Sequence, residues 1–311
     1  MKIVVIGYGS IGSRHVRILT SQGHEVSVVS QREIENVDCY KTIEESFQKC
    51  KPDYVVITNR TNEHYSALST LAKVDFKGIV LVEKPLFDGY RDVPINSFSK
   101  IFVAYNLRFH PIMHKLCMKL HNESIISVVA YTGQYLPQWR PHADYSKGYS
   151  AHGCLGGGVL RDLSHELDYL NWLLGGWKVL VALGGHFSRL EIESDDVFSL
   201  LMQTERCPVV TVQLNYLDRI GRRELLINTD LHTYKADLVK GILQVDGEVE
   251  IFKVNIDDTY WLQHETILAE NGDNTRYLCS LDEGLEVMRM IEAVEKSAKE
   301  KAWIAGCQEY V

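Results

Sequence analysis

Short apolar runs recur through the first third of the chain, each followed by a stretch of mixed polarity. Ile3–Ile6, Val26–Val29, Tyr54–Ile57, Ile79–Val82 and Ile101–Ala104 are rich in β-branched residues. Runs of this length that are apolar on both faces predict buried strands of a parallel sheet. Ile11 to Gln22 reads as a helix, with Ile11, Val16, Ile18 and Leu19 as its buried candidates. Strands alternating with helices predict an α/β domain with a doubly wound parallel sheet. From about residue 120 the pattern changes. Apolar stretches now follow one another at Ile125–Tyr131, Val179–Phe187, Val197–Met202, Val209–Leu214, Glu224–Asn228 and Val249–Val254. Few helical segments separate the last four, which predicts a largely antiparallel open sheet in a second, α+β domain. Between the first two of these strands, Leu160, Leu163, Leu167, Leu170 and Leu174 are spaced 3, 4, 3 and 4 apart, a helical seam. Gly156–Gly158 precede it and Gly175-Gly176 supply its stop. A last helix begins after Ser280, with Glu283 completing a capping box and Leu285, Met288, Ile291 and Val294 as its seam. The expected division is 1–119 and 120–311, with the last helix, about 281–300, able to return to the first domain.

Composition narrows the class. A chain of 311 residues, 45% hydrophobic and 24% charged, is that of an ordinary globular protein of about two domains. A formal net charge of −8 argues against nucleic-acid binding. No apolar run is long enough to span a membrane, and the amino end does not read as a signal peptide. Seven cysteines without a C-x-x-C pair suggest reduced thiols and a cytoplasmic location.

The first strand runs directly into Gly7-Tyr8-Gly9-Ser10-Ile11-Gly12. After a strand and before a helix, the first glycine permits a tight turn and the second admits a pyrophosphate to the backbone. The third lets helix and strand pack closely. The end of the second strand usually carries an acidic residue that holds a ribose. Here it reads Ser30-Gln31-Arg32. A hydroxyl and a guanidinium suit a 2′-phosphate, so NADP(H) is favoured over NAD(H). The turn Thr58-Asn59-Arg60-Thr61-Asn62-Glu63 with His64 lies at the carboxyl end of a strand, where such sheets bind ligands; Thr61 or Asn62 can equally cap the next helix. Glu83-Lys84-Pro85 and Tyr105-Asn106 stand at the ends of the next two strands. Lys84 at that edge is a candidate for moving, or electrostatically holding, the proton of a substrate hydroxyl.

In the second domain, about 100° per residue places Asp162, His165 and Tyr169 on the helix face opposite the leucines, facing solvent or a site. The preceding segment, Gln134–Leu155, lacks obvious regular structure and carries Trp139, Arg140, His142, Tyr145, Lys147 and Tyr149. Its aromatic faces suit sugar rings or bases and its cations suit phosphates or carboxylates, or the loop simply packs its own aromatics. His152 and Cys154 with Asp162 and His165 match no metal-ligand spacing, and no metal is expected.

Together these residues resemble the glucose–fructose oxidoreductase/inositol dehydrogenase/MocA-like (Gfo/Idh/MocA) family along nearly the whole chain. The resemblance rests on Gly7–Gly12, Thr61-Asn62-Glu63-His64, Glu83-Lys84-Pro85, Tyr105-Asn106-x-Arg108-Phe109 and the run from Gly156 to Asp168. It implies an amino-terminal Rossmann domain and a carboxyl-terminal domain whose open sheet forms a homodimer or homotetramer interface. It further implies a catalytic Lys84 with Asp162 and His165 as partners, and a pyrophosphate on Gly7, Gly9 and Gly12. Tyr8, Ser10, Ile11, Ser30, Arg32, Thr58, Asn59, Arg60, Asn62, His64, Glu83 and Asn106 are the remaining cofactor candidates. Arg108, Trp139, Arg140 and Tyr149 join Lys84, Asp162 and His165 as substrate candidates. Two positions depart from the family pattern. Asp162 and His165 are one residue closer than the usual Asp-x-x-x-His, which turns the imidazole by about 100° on an unbroken helix. Arg60 stands where proline is frequent. The expected activity is hydride transfer between a nicotinamide cofactor and a sugar, polyol or nucleotide-linked sugar, such as a surface-polysaccharide precursor. A dinucleotide-dependent sensor, or a reductase of an imine or cyclic tetrapyrrole, remains an alternative at this level.

Overall fold

The computed structural model describes residues 1–269 and 273–306. Contacts divide the chain into two compact units, one of residues 1–109 and 255–285 and one of 110–254 and 286–311. The first unit begins β1 (Lys2–Ile6), α1 (Ser10–Ser21), β2 (Glu25–Val29), β3 (Asp38–Tyr40) and α2 (Ile43–Lys49). It continues β4 (Tyr54–Ile57), α3 (His64–Lys73), β5 (Ile79–Val82) and β6 (Lys100–Val103). The apolar runs therefore form strands as expected, and β1 and β4 have no exposed side chain beyond Lys2. Their chemistry explains it: both faces are covered, so no polar alternation is needed.

The second unit contributes α4 (Pro111–Lys119), β7 (Ile125–Gly133), α5 (Val159–Asp162), α6 (His165–Leu173), β8 (Trp177–Gly185) and β9 (Val197–Thr204). Then follow β10 (Val209–Asn215), β11 (Arg222–Thr229), β12 (Thr233–Asp237), β13 (Ile242–Val245) and β14 (Glu248–Ile251). The chain next supplies α7 (Ile256–Leu268) and β15 (Cys279–Ser280) to the first unit, and ends with α8 (Leu281–Glu300) and β16 (Ile304–Ala305).

Among the described residues the first sheet runs β15-β6-β5-β4-β1-β2-β3, parallel except for β15. The second runs β14-β13-β12-β11-β7-β10-β9-β8-β16, antiparallel except where β10 lies parallel to β7. One of its faces buries Val128, Ala130, Leu200, Met202, Val210, Val212, Leu225 and Ile227. On the other, Val181, Leu201, Thr211, Val129 and Leu226 stand in one cross-strand row, three of them exposed apolar residues.

Three expectations are corrected. The division falls at 109/110 rather than 119/120, and residues 255–285, expected in the second domain, belong to the first unit. Strands β12 and β13 and helix α7 are additional to those expected. The single helix through Leu160–Leu174 is two helices, because Leu163 leaves helical geometry (φ −100°, ψ 28°). There the backbone tightens, Ser164 N–H donating to Arg161 O and Glu166 N–H to Leu163 O, both at 3.3 Å. Such three-residue spacing shortens the turn and changes the rotation per residue.

Candidate functional site

In the first unit the glycine turn is built by the ends of three adjacent strands. Gly7 N–H donates to Val29 O at 2.9 Å, and Thr58 Oγ1–H reaches Ile6 O at 3.1 Å and Gly7 O at 2.9 Å. The three glycines then separate by cause. Gly7 has φ +100°, and a Cβ on it would lie 2.7 Å from Asn59 N. A Cβ on Gly12 would lie 2.3 Å from Gly7 O, so the approach of α1 to β1 requires glycine there. Gly9 is different: its φ of −87° is open to any residue, and an added Cβ would meet nothing within 4 Å among the described residues. Neither strain nor internal packing accounts for it.

Gly9 is also the N-cap of α1, which has no side-chain cap and no acidic residue in its first turn. Unsatisfied N–H groups with the positive end of the helix dipole face outward there, past the exposed Gly9 and Ser10. Tyr8 and Ile11 flank this opening half-exposed. Arg32 comes to the same turn, its Nη1 donating to Tyr8 O at 3.4 Å, while Ser30 Oγ accepts Arg32 N–H at 3.1 Å. Asn59 Oδ1 and Asn62 Oδ1 are buried with no donor among the described residues. Open space at Gly9, an uncapped helix start, a nearby guanidinium and two orphaned amide oxygens fit a dinucleotide's phosphates and polar substituents.

Other expected cofactor residues hold the scaffold. Neither Thr61 nor Asn62 caps α3, which starts at His64 without a side-chain cap. His64 is buried between carbonyls, with Nε2 3.2 Å from Asn59 O and Nδ1 3.2 and 3.1 Å from Pro85 O and Leu86 O. Burial lowers its pKa against the opposing pull of these carbonyls, and the ring sits between the turn after β4 and the one after β5. Arg60 is exposed, and Asn106 is buried with Nδ2 donating to Thr259 Oγ1 at 2.7 Å. Glu83 is buried, Lys84 half-buried, and the bond from Lys84 to Pro85 is cis. Arg108 is 1% exposed and spends its guanidinium on Glu283 Oε1 (2.8 Å) and Leu278 O (3.3 Å). As placed it ties the turn after β6 to the start of α8 within the first unit.

In the second unit Asp162 is the hub. It is 5% exposed, and Tyr216 Oη–H donates to its Oδ2 at 2.6 Å. Tyr149 also donates to it. Burial, then the nearby Asp162 carboxylate, pushes both phenols well above their ordinary pKa, so both remain donors. Trp139 packs edge-on against Tyr216 with centroids 5.3 Å apart, and its indole Nε1 is buried with no acceptor among the described residues. Arg140 is exposed, and its charge bears on Tyr149. Lys147 instead pairs with Asp144 at 3.1 Å. His165 is 8% exposed and Tyr169 fully buried, so this face is turned away from bulk solvent. The helix break lies between Asp162 and His165, so the offset expected of an unbroken helix does not apply.

Tyr216 and Asp195 are additions that the sequence did not suggest. Asp195 Oδ2 accepts Leu160 N–H at 2.9 Å and its carbonyl accepts Val159 N–H at 3.1 Å, capping α5. Only the position of Tyr216 just beyond a strand end could have pointed to it. His152, half-exposed, lies 3.2 Å from Glu193, and among the described residues no cluster of three His, Cys, Asp or Glu could hold a metal. Among the same residues no helix is long and apolar enough to cross a membrane.

The first unit is thus a Rossmann-type dinucleotide-binding fold. Residues 1–94 match the family model GFO_IDH_MocA, described as an oxidoreductase family with an NAD-binding Rossmann fold, in agreement with the resemblance read from the sequence. Solved structures share the fold over the whole chain. Levoglucosan dehydrogenase with NADH has a TM-score of 0.83 at 15% identity, covering 99% of each chain. The WlbA dehydrogenase of Bordetella pertussis, with NADH and UDP-GlcNAcA, has 0.81 at 15%, covering 99% of this chain and 98% of that one. GenD2 of gentamicin A biosynthesis, with NAD, has 0.79 at 16%, covering 99% and 96%. No curated protein matches.

Proposed function

We propose that the protein is a nicotinamide-dependent oxidoreductase acting on a sugar or nucleotide-linked sugar, with Lys84, His165 and Asp162 as its catalytic residues. The observation that carries this is Gly9, where neither backbone strain nor internal packing calls for glycine and the uncapped start of α1 stands open to a ligand. When bound, the nicotinamide supplies or accepts the hydride. Lys84 holds the reacting oxygen and moves its proton, His165 assists, and Asp162, fixed by Tyr149 and Tyr216, orients the hydroxyl. Trp139 offers an indole N–H and a ring face to the sugar, and the exposed Arg140 suits an anionic substituent. That pairing supports an acidic or phosphate-bearing sugar of the kind used for surface polysaccharides, and the UDP-GlcNAcA in one structural neighbour is of this class. Arg32 beside Tyr8 favours NADP(H), whereas the neighbours hold NAD or NADH. The apolar row on the open face of the second sheet suits a second copy of the chain. Six described cysteines, all free thiols, suit a reducing cytoplasm.

The test is Lys84→Ala, assayed by absorbance of the reduced nicotinamide against a panel of hexoses, hexuronates and nucleoside-diphosphate sugars. Turnover should fall by at least about a hundredfold while the dissociation constant for the dinucleotide is retained. Turnover at the parental rate would remove Lys84 from the chemistry.

A further inference from the structure

Beneath the Glu83-Lys84-Pro85 corner lies a line of buried side chains drawn from four elements of the first unit. Tyr54 on β4 places its Oη 3.0 Å from Nδ1 of His264 on α7. His264 Nε2 lies 2.7 Å from Nδ1 of His15 on α1. His15 Nε2 lies 2.9 Å from Glu83 Oε1, and Glu83 Oε2 accepts Lys84 N–H at 3.2 Å. Tyr54, His15 and His264 have no solvent exposure at all.

Counting protons fixes the direction of this line. The Tyr54 hydroxyl has no other acceptor among the described residues, so it donates to His264 Nδ1. His264, a neutral ring whose pKa burial holds well below its ordinary value, then carries its proton on Nε2 and donates to His15 Nδ1. His15 in turn carries its proton on Nε2 and donates to Glu83. Every gap holds one proton, every acceptor is filled, and the line ends on an oxygen that needs no proton of its own, a carboxylate. The reverse arrangement leaves the buried Tyr54 hydroxyl without an acceptor, which costs about 1–3 kcal/mol. Among neighbouring titratable groups, His24 bears on His264, the Glu83 carboxylate bears on Tyr54 and His64, and the Tyr260 ring stands edge-on to His15 at 5.4 Å.

We infer that Tyr54, His264 and His15 are positioning residues for Lys84: their one-way line of hydrogen bonds holds the Glu83 carboxylate, which fixes the Lys84 main chain at the end of β5. The inference rests on the assignment of Lys84 to proton transfer made above. It gives α7, supplied late in the chain, a part in setting that residue. A carboxylate on a hydrogen-bonded line cannot turn away from the Lys84 peptide without leaving His15 Nε2–H unpaired in the interior.

The experiment uses the full ¹⁵N-labelled chain at pH 7. Long-range imidazole spectra, assigned by loss of signal in His15→Gln and His264→Gln, should show each ring carrying a single proton, on Nε2. Exchange of the Lys84 amide is followed in wild type, His264→Leu and His264→Gln. Leucine removes the donor to His15, and exchange should accelerate about tenfold while the Leu81 and Val82 amides of the same strand end keep their rates. Glutamine places an amide N–H near the lost imidazole Nε2–H and should restore most of the protection. A proton on Nδ1 of either ring, or a Lys84 amide unchanged in His264→Leu, would overturn the inference. The same preparations are tested for stabilisation by NADH. Its absence in wild type would sink the oxidoreductase reading and leave the imidazole and exchange results to stand or fall separately.

Discussion

At the residue scale, the three glycines of the first turn were equally visible in the sequence but are not equivalent. Gly7 answers to backbone conformation, Gly12 to the approach of helix and strand, and Gly9 to space outside the protein. Gly12→Ala sets a methyl against a backbone carbonyl that cannot move without displacing β1. Unfolding of the purified variant should show a loss of about 1–3 kcal/mol or more; an unchanged midpoint would mean that α1 and β1 are further apart than described. Charges and aromatics were legible as residue types, whereas their partners were not. Arg108 reads as a cation near a ligand, yet Glu283, far along the sequence, takes its charge. His15 reads as one more polar residue on an amphipathic helix, yet it is the middle of a buried hydrogen-bond line.

At the scale of elements, apolar runs and leucine spacing predicted most strands and the buried seam of α5 and α6. The break between those helices left no trace in that spacing, because Leu163 stays buried on either side of the change in backbone. Helix α7 escaped for a related reason: it buries Thr259, Gln263 and His264, so no apolar period marks it. Its signal was the capping box of Asn255 and Asp258. The short α5 depends on Asp195, whose pKa burial raises to about 6 from 3.8. A raised folded-state value means stability present in full below the unfolded pKa and lost as pH rises through about 6. Asp195→Asn keeps an oxygen for Leu160 N–H without the charge. It should therefore be more stable than wild type at pH 8, by at most the order of 3 kcal/mol, with the gain shrinking toward pH 5. Thermal unfolding at the two pH values measures this, and an equal effect at both would remove the carboxylate's charge as the cause.

At the scale of the whole molecule, the order of elements along the chain told of a parallel sheet followed by an antiparallel one. What it could not tell is that residues 255–285 rejoin the first unit. Local periodicity encodes which face of an element is buried, and not which distant element buries it. That return supplies His264 and Thr259 to the side chains around Glu83 and Asn106, so the surroundings of Lys84 depend on chain from both ends of the sequence.

The central claim is that the opening at Gly9 receives a nicotinamide dinucleotide. Thermal unfolding of wild type and Gly9→Ala, each alone and with NADPH or NADH at equal concentration, tests it most directly. Alone, the two proteins should unfold within about 1 kcal/mol of each other, since the methyl meets open space and only the N-cap preference changes. With ligand at a hundred times its dissociation constant, wild type should gain about 2.7 kcal/mol, more from NADPH than from NADH, and the variant should gain nothing. A wild type that neither nucleotide stabilises, or a Gly9→Ala stabilised as much as wild type, would contradict the account.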